Sequence, residues 1–384
     1  MGGFGLYIHW PFCESKCPYC DFNSHIKREI DNNEWSLALT TELHYLFKKY
    51  FKEKESHTLK SIFFGGGTPS LIDANLIGEF ILCVKENFKV SDDIEITLEL
   101  NPDDSSIKYL TSLKENQVNR LSIGIQSFNQ EDLFLMNRSH TANQSYDTIK
   151  MVKDLFDNFS LDLIYGIPHS NIDKWKFNLN EALSFDPPHI SSYALTVEDK
   201  TILKKQILSG ELIPLGELDV EKQYWHMINY LEEINYHNYE FSNFSKPGYY
   251  SKNNLGYWDG KAYLGIGPSA HSFDGNMTRS WNVSQNMSYL NSIKKNSLPL
   301  SQELLSLKDR FNELIMTGLR TSSGVSTKEI KDKIGEKFVC YLEDNAKKRV
   351  LSKDLYWDGD YLHVSKKSKF LSDGIASDLF LINL

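Results

Sequence analysis

The chain has 384 residues, 41% hydrophobic and 13% aromatic, with 42 Lys and Arg against 51 Asp and Glu for a net charge of −9. That length fits two or three domains, and an acidic chain with a pI near 5.7 excludes a general nucleic-acid binder, which needs a basic surface. No apolar run reaches the roughly 18 residues that span a bilayer, and no secretory leader is legible, so a reducing, cytoplasmic setting is expected.

From the N-terminus, short β-branched or aromatic runs at 5–9, 61–64, 94–100, 120–125, 161–165 and 189–195 alternate with helical patterns at 34–50, 73–88, 106–115, 143–158 and 174–185. This succession of βα units predicts an α/β fold, an incomplete (β/α)6 barrel with a parallel sheet inside and helices outside. The basic run 47–52 reads as a solvated helix face. Residues 201–300 loosen into Gly- and aromatic-rich stretches, expected to complete the barrel and hold a ligand. From 301 to 384, a helix over 307–318, shorter helices and a hairpin around Asp358-Gly359 predict a small winged-helix-like domain. The expected division is therefore 1–200, 201–300 and 301–384.

In a parallel barrel, functional residues lie on the loops after the strand C-termini. After the first strand come Cys13, Cys17 and Cys20, spaced C-x3-C-x2-C. Three thiolates can hold three corners of an iron–sulfur cubane and leave the fourth iron open to a small ligand. A zinc site with Asp21 or His25 as fourth ligand, or a disulfide, are the competing readings. Cys83 and Cys340 sit in apolar stretches and read as small buried hydrophobes.

Gly65-Gly66-Gly67-Thr68 ends the second strand, either as backbone donors for a ligand or merely as a tight turn. Glu99 ends the third strand, where a buried carboxylate needs a cation, from a ligand ammonium or an internal Arg or Lys. Asp162, inside the apolar fifth strand, carries the same argument toward a hydroxyl-bearing ligand. Gln126 follows the fourth strand, and Arg138 could meet a carboxylate or simply be a surface arginine.

Together, C-x3-C-x2-C, G-G-G-T-P and E-L-N-P at successive strand ends resemble the radical S-adenosylmethionine (SAM) superfamily. The resemblance implies a [4Fe–4S] cluster on Cys13, Cys17 and Cys20, with SAM chelating the open iron through its amino and carboxyl groups and cleaved on reduction. The segments 7–13, 162–168 and 263–271, with 309–313 and 318–321, resemble the anaerobic coproporphyrinogen III oxidase group, and within it the haem-chaperone branch. The SAM pocket implied by that group falls on Tyr7, Tyr19, Gly66, Gly67, Thr68, Glu99, Gln126, Arg138, Asp162 and Ala194. There Glu99 would pair with the ammonium and Arg138 with the carboxylate, Gln126 and Asp162 would bond the ribose, and the Tyr19 backbone would approach the adenine.

The oxidase branch carries a further cysteine where this chain has Phe22, and an extension where it has six residues ahead of Tyr7; both features point to the chaperone branch. That branch implies haem as cargo, an acceptor protein, and a flavodoxin- or ferredoxin-type electron donor. Its His-Asn-x-x-Tyr-Trp signature is here Asn253-Asn254-Leu255-Gly256-Tyr257-Trp258. An amide is a poor ligand for haem iron, so His271 is the expected ligand, ahead of His9 and His25. Asn254, Tyr257 and Trp258 remain candidate haem or substrate contacts, against a reading as ordinary aromatic core. The expected function is haem carriage and transfer; the alternative is a radical SAM oxidoreductase acting on a porphyrinogen.

Overall fold

Successive side chains of a strand point to opposite faces, and the main strands alternate apolar with polar residues. In the computed structural model, which describes residues 3–26, 31–50 and 57–382, the apolar set faces outward beneath helices and the polar set faces inward. The first six strands of the main sheet are β1 (Gly3–Trp10), β2 (Thr58–Gly66), β3 (Lys89–Leu100), β4 (Arg120–Gln126), β5 (Phe159–Tyr165) and β6 (His189–Ala194). They lie side by side in chain order, all parallel.

Six further strands widen this sheet: β7 (His237–Glu240), β8 (Asn243–Ser245), β9 (Tyr263–Ile266), β10 (His271–Phe273), β11 (Thr278–Asn282) and β12 (Leu300–Leu304). The spatial order is β12-β11-β10-β9-β1-β2-β3-β4-β5-β6-β8-β7, so the barrel stays open between its two end strands. The region 201–300 thus extends both edges, with β9 parallel to β1 and β8 antiparallel to β6. Leu6, Ile62, Leu98, Ile123, Leu161 and Ile190 are buried under the outer helices, each contributing about 1.5–3 kcal/mol of transfer free energy. The helix Gln130–Leu135 was not legible in the sequence pattern. Phe51 and Lys52 of the basic run lie outside the described residues.

The inner face is partly filled by the helix Lys252–Trp258, N-capped by Ser251. Its first N–H groups meet the buried Glu95 carboxylate, Lys252 N at 3.0 Å and Asn253 N at 3.2 Å. A carboxylate at a helix N-terminus satisfies both the orphan donors and the helix dipole.

At the C-terminus, the helices Leu307–Arg320, Thr327–Ile334 and Glu336–Leu351 pack on a three-stranded sheet built from Val325–Ser326, Leu355–Asp358 and Tyr361–Val364. This unit has its own core, including Phe311, Ile330, Leu342 and Leu362, and is the expected winged-helix-like domain. Cys340 is exposed, contrary to its reading as a buried hydrophobe: Phe338, Val339 and Leu342 face inward on that helix and turn residue 340 to solvent. Cys83 is half-buried against the main core. Among the described residues no helix is long and apolar enough to cross a membrane.

One buried carboxylate ties the β9–β11 edge to the helix Asn32–Tyr50. Glu42 accepts hydrogen bonds from Tyr289 Oη at 2.6 Å, Gly267 N at 2.9 Å and Asn282 Nδ2 at 2.5 Å. Burial outweighs these donors and pushes its pKa up to about 7. Because the folded state holds this proton more tightly than the unfolded chain, the stabilisation is complete below about pH 4.5 and is lost as pH rises toward 7. Relative to Glu42→Gln, the wild type should therefore lose about 2.5 kcal/mol of unfolding free energy between pH 5 and 8. Paired denaturation curves check this; a difference constant across that window would show that Glu42 stays ionised in the fold.

Candidate functional site

The C-terminal ends of β1–β6 surround a cavity of about 800 Å³. Cys13, Cys17 and Cys20 line it on one loop, which turns through a Cys20 N to Cys17 O bond of 3.2 Å. That loop is seated on the glycine turn: Gly67 N donates to Trp10 O and Thr68 N to Phe12 O, both at 2.7 Å. A Cβ on Gly67 would lie 2.4 Å from Phe12 O, and one on Gly66, at φ +108°, would meet the His9 ring at 2.6 Å. The glycines are therefore required by the approach of two backbones. Their N–H groups bond within the protein, Gly66 N to Glu99 and Gly67 N to Trp10 O. Among the described residues no three His, Cys, Asp or Glu side chains converge on one ion position.

Glu99 lies half-buried beside this turn and accepts from Gly66 N at 3.1 Å. It has no cation within ion-pair distance among the described residues. Burial, then the neighbouring Asp162, pushes its carboxyl up to about 8. Arg138 reaches the opposite wall, where Nη2 donates to Gly124 O at 3.1 Å and to Asn101 Oδ1, and Nη1 lies 3.7 Å from Cys17 Sγ. Its Nε is buried without a hydrogen-bond partner. Asp162 accepts from Ser122 Oγ at 2.8 Å and Ser160 Oγ at 3.0 Å, and burial raises its pKa. Gln126 closes β4 at φ +66°, beyond a register shift in the ladder, and lines the cavity with Tyr19 and Ala194. A left-handed non-glycine residue costs about 1 kcal/mol or more, a strain that turns the Gln126 side chain inward.

A carboxylate without a cation and a guanidinium with a free N–H, both half-buried on one cavity beside three cysteines, fit a zwitterion with a further positive charge. SAM is such a molecule: Glu99 would take its ammonium, Arg138 its carboxylate and Asp162 its ribose. Two deeper residues escaped the sequence reading, Arg120 and Glu95, whose charged ends lie 3.9 Å apart. The polar residues Arg120, Ser122, Gly124 and Gln126 recur with period two along β4 and were the available signal.

The structure separates the other candidates. Tyr7, assigned to the SAM pocket by resemblance, lines a neighbouring cavity of about 350 Å³ together with His9, Phe22, Tyr257, Tyr263 and His271. Asn254 instead lines the central cavity, and Trp258 a third one against the C-terminal domain, with the Arg320 guanidinium 5.7 Å above its ring. Asn253 is buried, accepting from Ser61 Oγ at 3.4 Å. Both nitrogens of His9 are engaged, Nε2 by Asn23 O at 2.9 Å and Nδ1 by Tyr7 Oη at 3.3 Å. His271 is exposed and stacks on Trp281 at 5.9 Å. Partial burial and Arg279 lower its pKa, so the imidazole is neutral at physiological pH.

An open parallel barrel with a three-cysteine loop at its mouth and a polar lumen defines a radical SAM protein. Residues 7–180 match the radical SAM superfamily and residues 305–370 the HemN C-terminal domain. The heme chaperone HemW of Bacillus subtilis is 35% identical over 353 residues, 90% of this chain and 92% of that protein. HemW of Lactococcus lactis is 30% identical, over 98% and 97% of the two chains. The coproporphyrinogen III oxidase HemN of Escherichia coli shares the fold with a TM-score of 0.84 at 20% identity, covering 98% of this chain and 90% of its own. The chain belongs to the HemW family of the radical SAM superfamily, whose members imply a [4Fe–4S] cluster and SAM.

A carboxyl held protonated up to about pH 8 must ionise to pair with an ammonium. SAM affinity of the cluster-loaded protein should therefore rise as pH climbs from 6 toward 8, and binding should release a proton. Glu99→Gln should weaken binding by about 10- to 100-fold and abolish that rise. Calorimetry in buffers of differing ionisation enthalpy reads both; a pH-independent wild type would show Glu99 to be ionised before SAM arrives.

Proposed function

We propose that this protein is a haem chaperone that binds haem, a [4Fe–4S] cluster and SAM and hands haem to an acceptor protein. The observation that carries the reading is His271, a neutral imidazole facing an aromatic cavity next to the cysteine loop. Neutral histidine is the common protein ligand of haem iron, and the walls made by Tyr7, Tyr257 and Tyr263 suit a flat apolar macrocycle. Tyr257 and Tyr263 meet edge-on at 4.6 Å, which gives that wall a rigid floor. The names of the HemW relatives support the same cargo. Exposed Phe22 stands where the oxidase branch carries its extra cysteine, and favours carriage over porphyrinogen oxidation.

In this reading Cys13, Cys17 and Cys20 hold the cluster, while Glu99, Arg138, Gln126 and Asp162 orient SAM over it. A bound cluster supplies one electron at its open iron, drawn from a flavodoxin- or ferredoxin-type donor. The setting is cytoplasmic, and the acceptor is a protein that takes haem from the open side of the second cavity.

The alternative, a radical SAM oxidoreductase acting on a porphyrinogen, draws on the lumen: Arg120, Glu95, Asp162 and Glu99 form more charged machinery than carriage alone requires.

A haemin titration of cluster-reconstituted protein, followed in the Soret band, separates the two. The wild type should bind one haemin per chain, and His271→Ala should weaken binding about tenfold or more and shift the band. Equal binding by wild type and His271→Ala would remove His271 as the ligand. No binding by the wild type would move the reading to the oxidoreductase, for which SAM cleavage with coproporphyrinogen is the assay.

A further inference from the structure

Behind Asp162 runs a chain of buried polar side chains that no part of the proposed function uses. His189, on β6, is fully buried; its Nδ1 lies 2.8 Å from Ser160 Oγ and its Nε2 2.8 Å from Tyr239 Oη. Ser160 in turn reaches Asp162 Oδ1 at 3.0 Å. We infer that His189, locked between Tyr239 and Ser160, is a positioning residue for Asp162 and so sets how tightly the ribose hydroxyls of SAM are held. The inference rests on the reading of the central cavity as a SAM site with Asp162 at the ribose.

Proton counting gives the chain a direction. An ionised carboxylate only accepts; Ser191 Oγ, 3.0 Å from Ser160 Oγ, donates its own proton to Asp162, and Ser160 donates its single proton to the same carboxylate. Ser160 Oγ is then an acceptor for His189, and Nδ1 carries the imidazole proton. Nε2 is left bare and accepts from the Tyr239 hydroxyl. Each group donates once toward the cavity, and only one tautomer of a neutral imidazole permits it. Burial and the nearby Arg120 charge keep His189 neutral, as the pattern requires. Ser122 Oγ supplies a donor to the other carboxylate oxygen at 2.8 Å. Asp162 is thereby held by three hydroxyls, those of Ser122, Ser160 and Ser191.

The far end of the chain is tied to the C-terminal domain, because Ser322 N donates to Tyr239 O at 3.0 Å. If the Tyr239 hydroxyl is removed, the imidazole loses the partner that fixes its tautomer. The proton can then sit on Nε2, Nδ1 becomes an acceptor, and the Ser160 hydroxyl turns from Asp162 to His189. The carboxylate loses a donor without being touched itself.

The test is equilibrium binding of SAM to the full-length, cluster-reconstituted protein. His189→Leu should weaken SAM about tenfold or more, in the range of outer-shell substitutions. His189→Asn, which keeps a donor where Nδ1 lies, should stay within about threefold. Tyr239→Phe, which removes one hydroxyl and no packing, should fall between them and supplies the test by itself if His189→Leu fails to fold. On an Asp162→Asn background, His189→Leu should add nothing, since its whole effect runs through the carboxylate. Wild-type affinity in both His189→Leu and Tyr239→Phe would overturn the inference, as would a full additive loss on the Asp162→Asn background. Absence of SAM binding by the wild type would instead overturn the cofactor reading and this inference with it.

Discussion

Three carboxylates, Glu95, Glu99 and Asp162, are held inside the sheet against two guanidiniums, Arg120 and Arg138. A buried charge is costly unless it is paired and hydrogen-bonded, so each of these groups constrains what surrounds it. Glu95 is answered by the N-terminus of the helix Lys252–Trp258 and by Arg120. Asp162 is answered by serine hydroxyls. Glu99 receives a backbone N–H from Gly66 and resolves its position by holding a proton. Once Glu99 gives up that proton, three negative groups against two positive ones leave one negative charge, the complement of SAM with its sulfonium, ammonium and carboxylate. Glu95 and Glu99 lie four residues apart on one face of β3, about 13 Å along the strand. The charge pattern therefore distinguishes a sealed floor from a mouth that awaits a ligand.

The same polar lumen explains which parts of the chain were legible. The cysteine spacing, the strand-to-helix alternation and Glu99 are local signals, and local signals survive in a sequence. Parallel strands covered on both faces read as near-continuous apolar runs. Here β4, β5 and β6 instead place Arg120 and Ser122, Ser160 and Asp162, and His189 and Ser191 at alternate positions. That period-two pattern announces a wet interior, but it does not say which polar group meets which. Arg120 with Glu95, and His189 with Ser160 and Tyr239, are contacts between successive strands separated by intervening helices and loops, so no local pattern pairs them. Asn253 shows the same limit: its place in a signature was visible, but not that its backbone serves Glu95 and its side chain meets Ser61. The triple glycine was half legible, because a need for small residues is local while the partner of their N–H groups, the cysteine loop, is not.

The two cavities share one wall, and its construction bears on how SAM and haem could influence each other. Tyr7 stacks on Phe63, which faces the central cavity, while its hydroxyl meets His9 on the other side. Gly65 lies between: a Cβ there would be 3.0 Å from the Tyr7 ring and 3.1 Å from Glu99 Oε1. Only a residue without a side chain lets the ring and the carboxylate approach this closely. Glu99 already raises the Tyr7 pKa, second to burial itself, so the charge state of Glu99 is felt across the wall. Tyr7 in turn bonds His9, whose other nitrogen meets Asn23 O, so the shared wall runs from the Glu99 carboxylate to the segment that follows the cysteines. In the chaperone reading, that path links occupancy of the SAM site to the aromatic wall that faces the cargo.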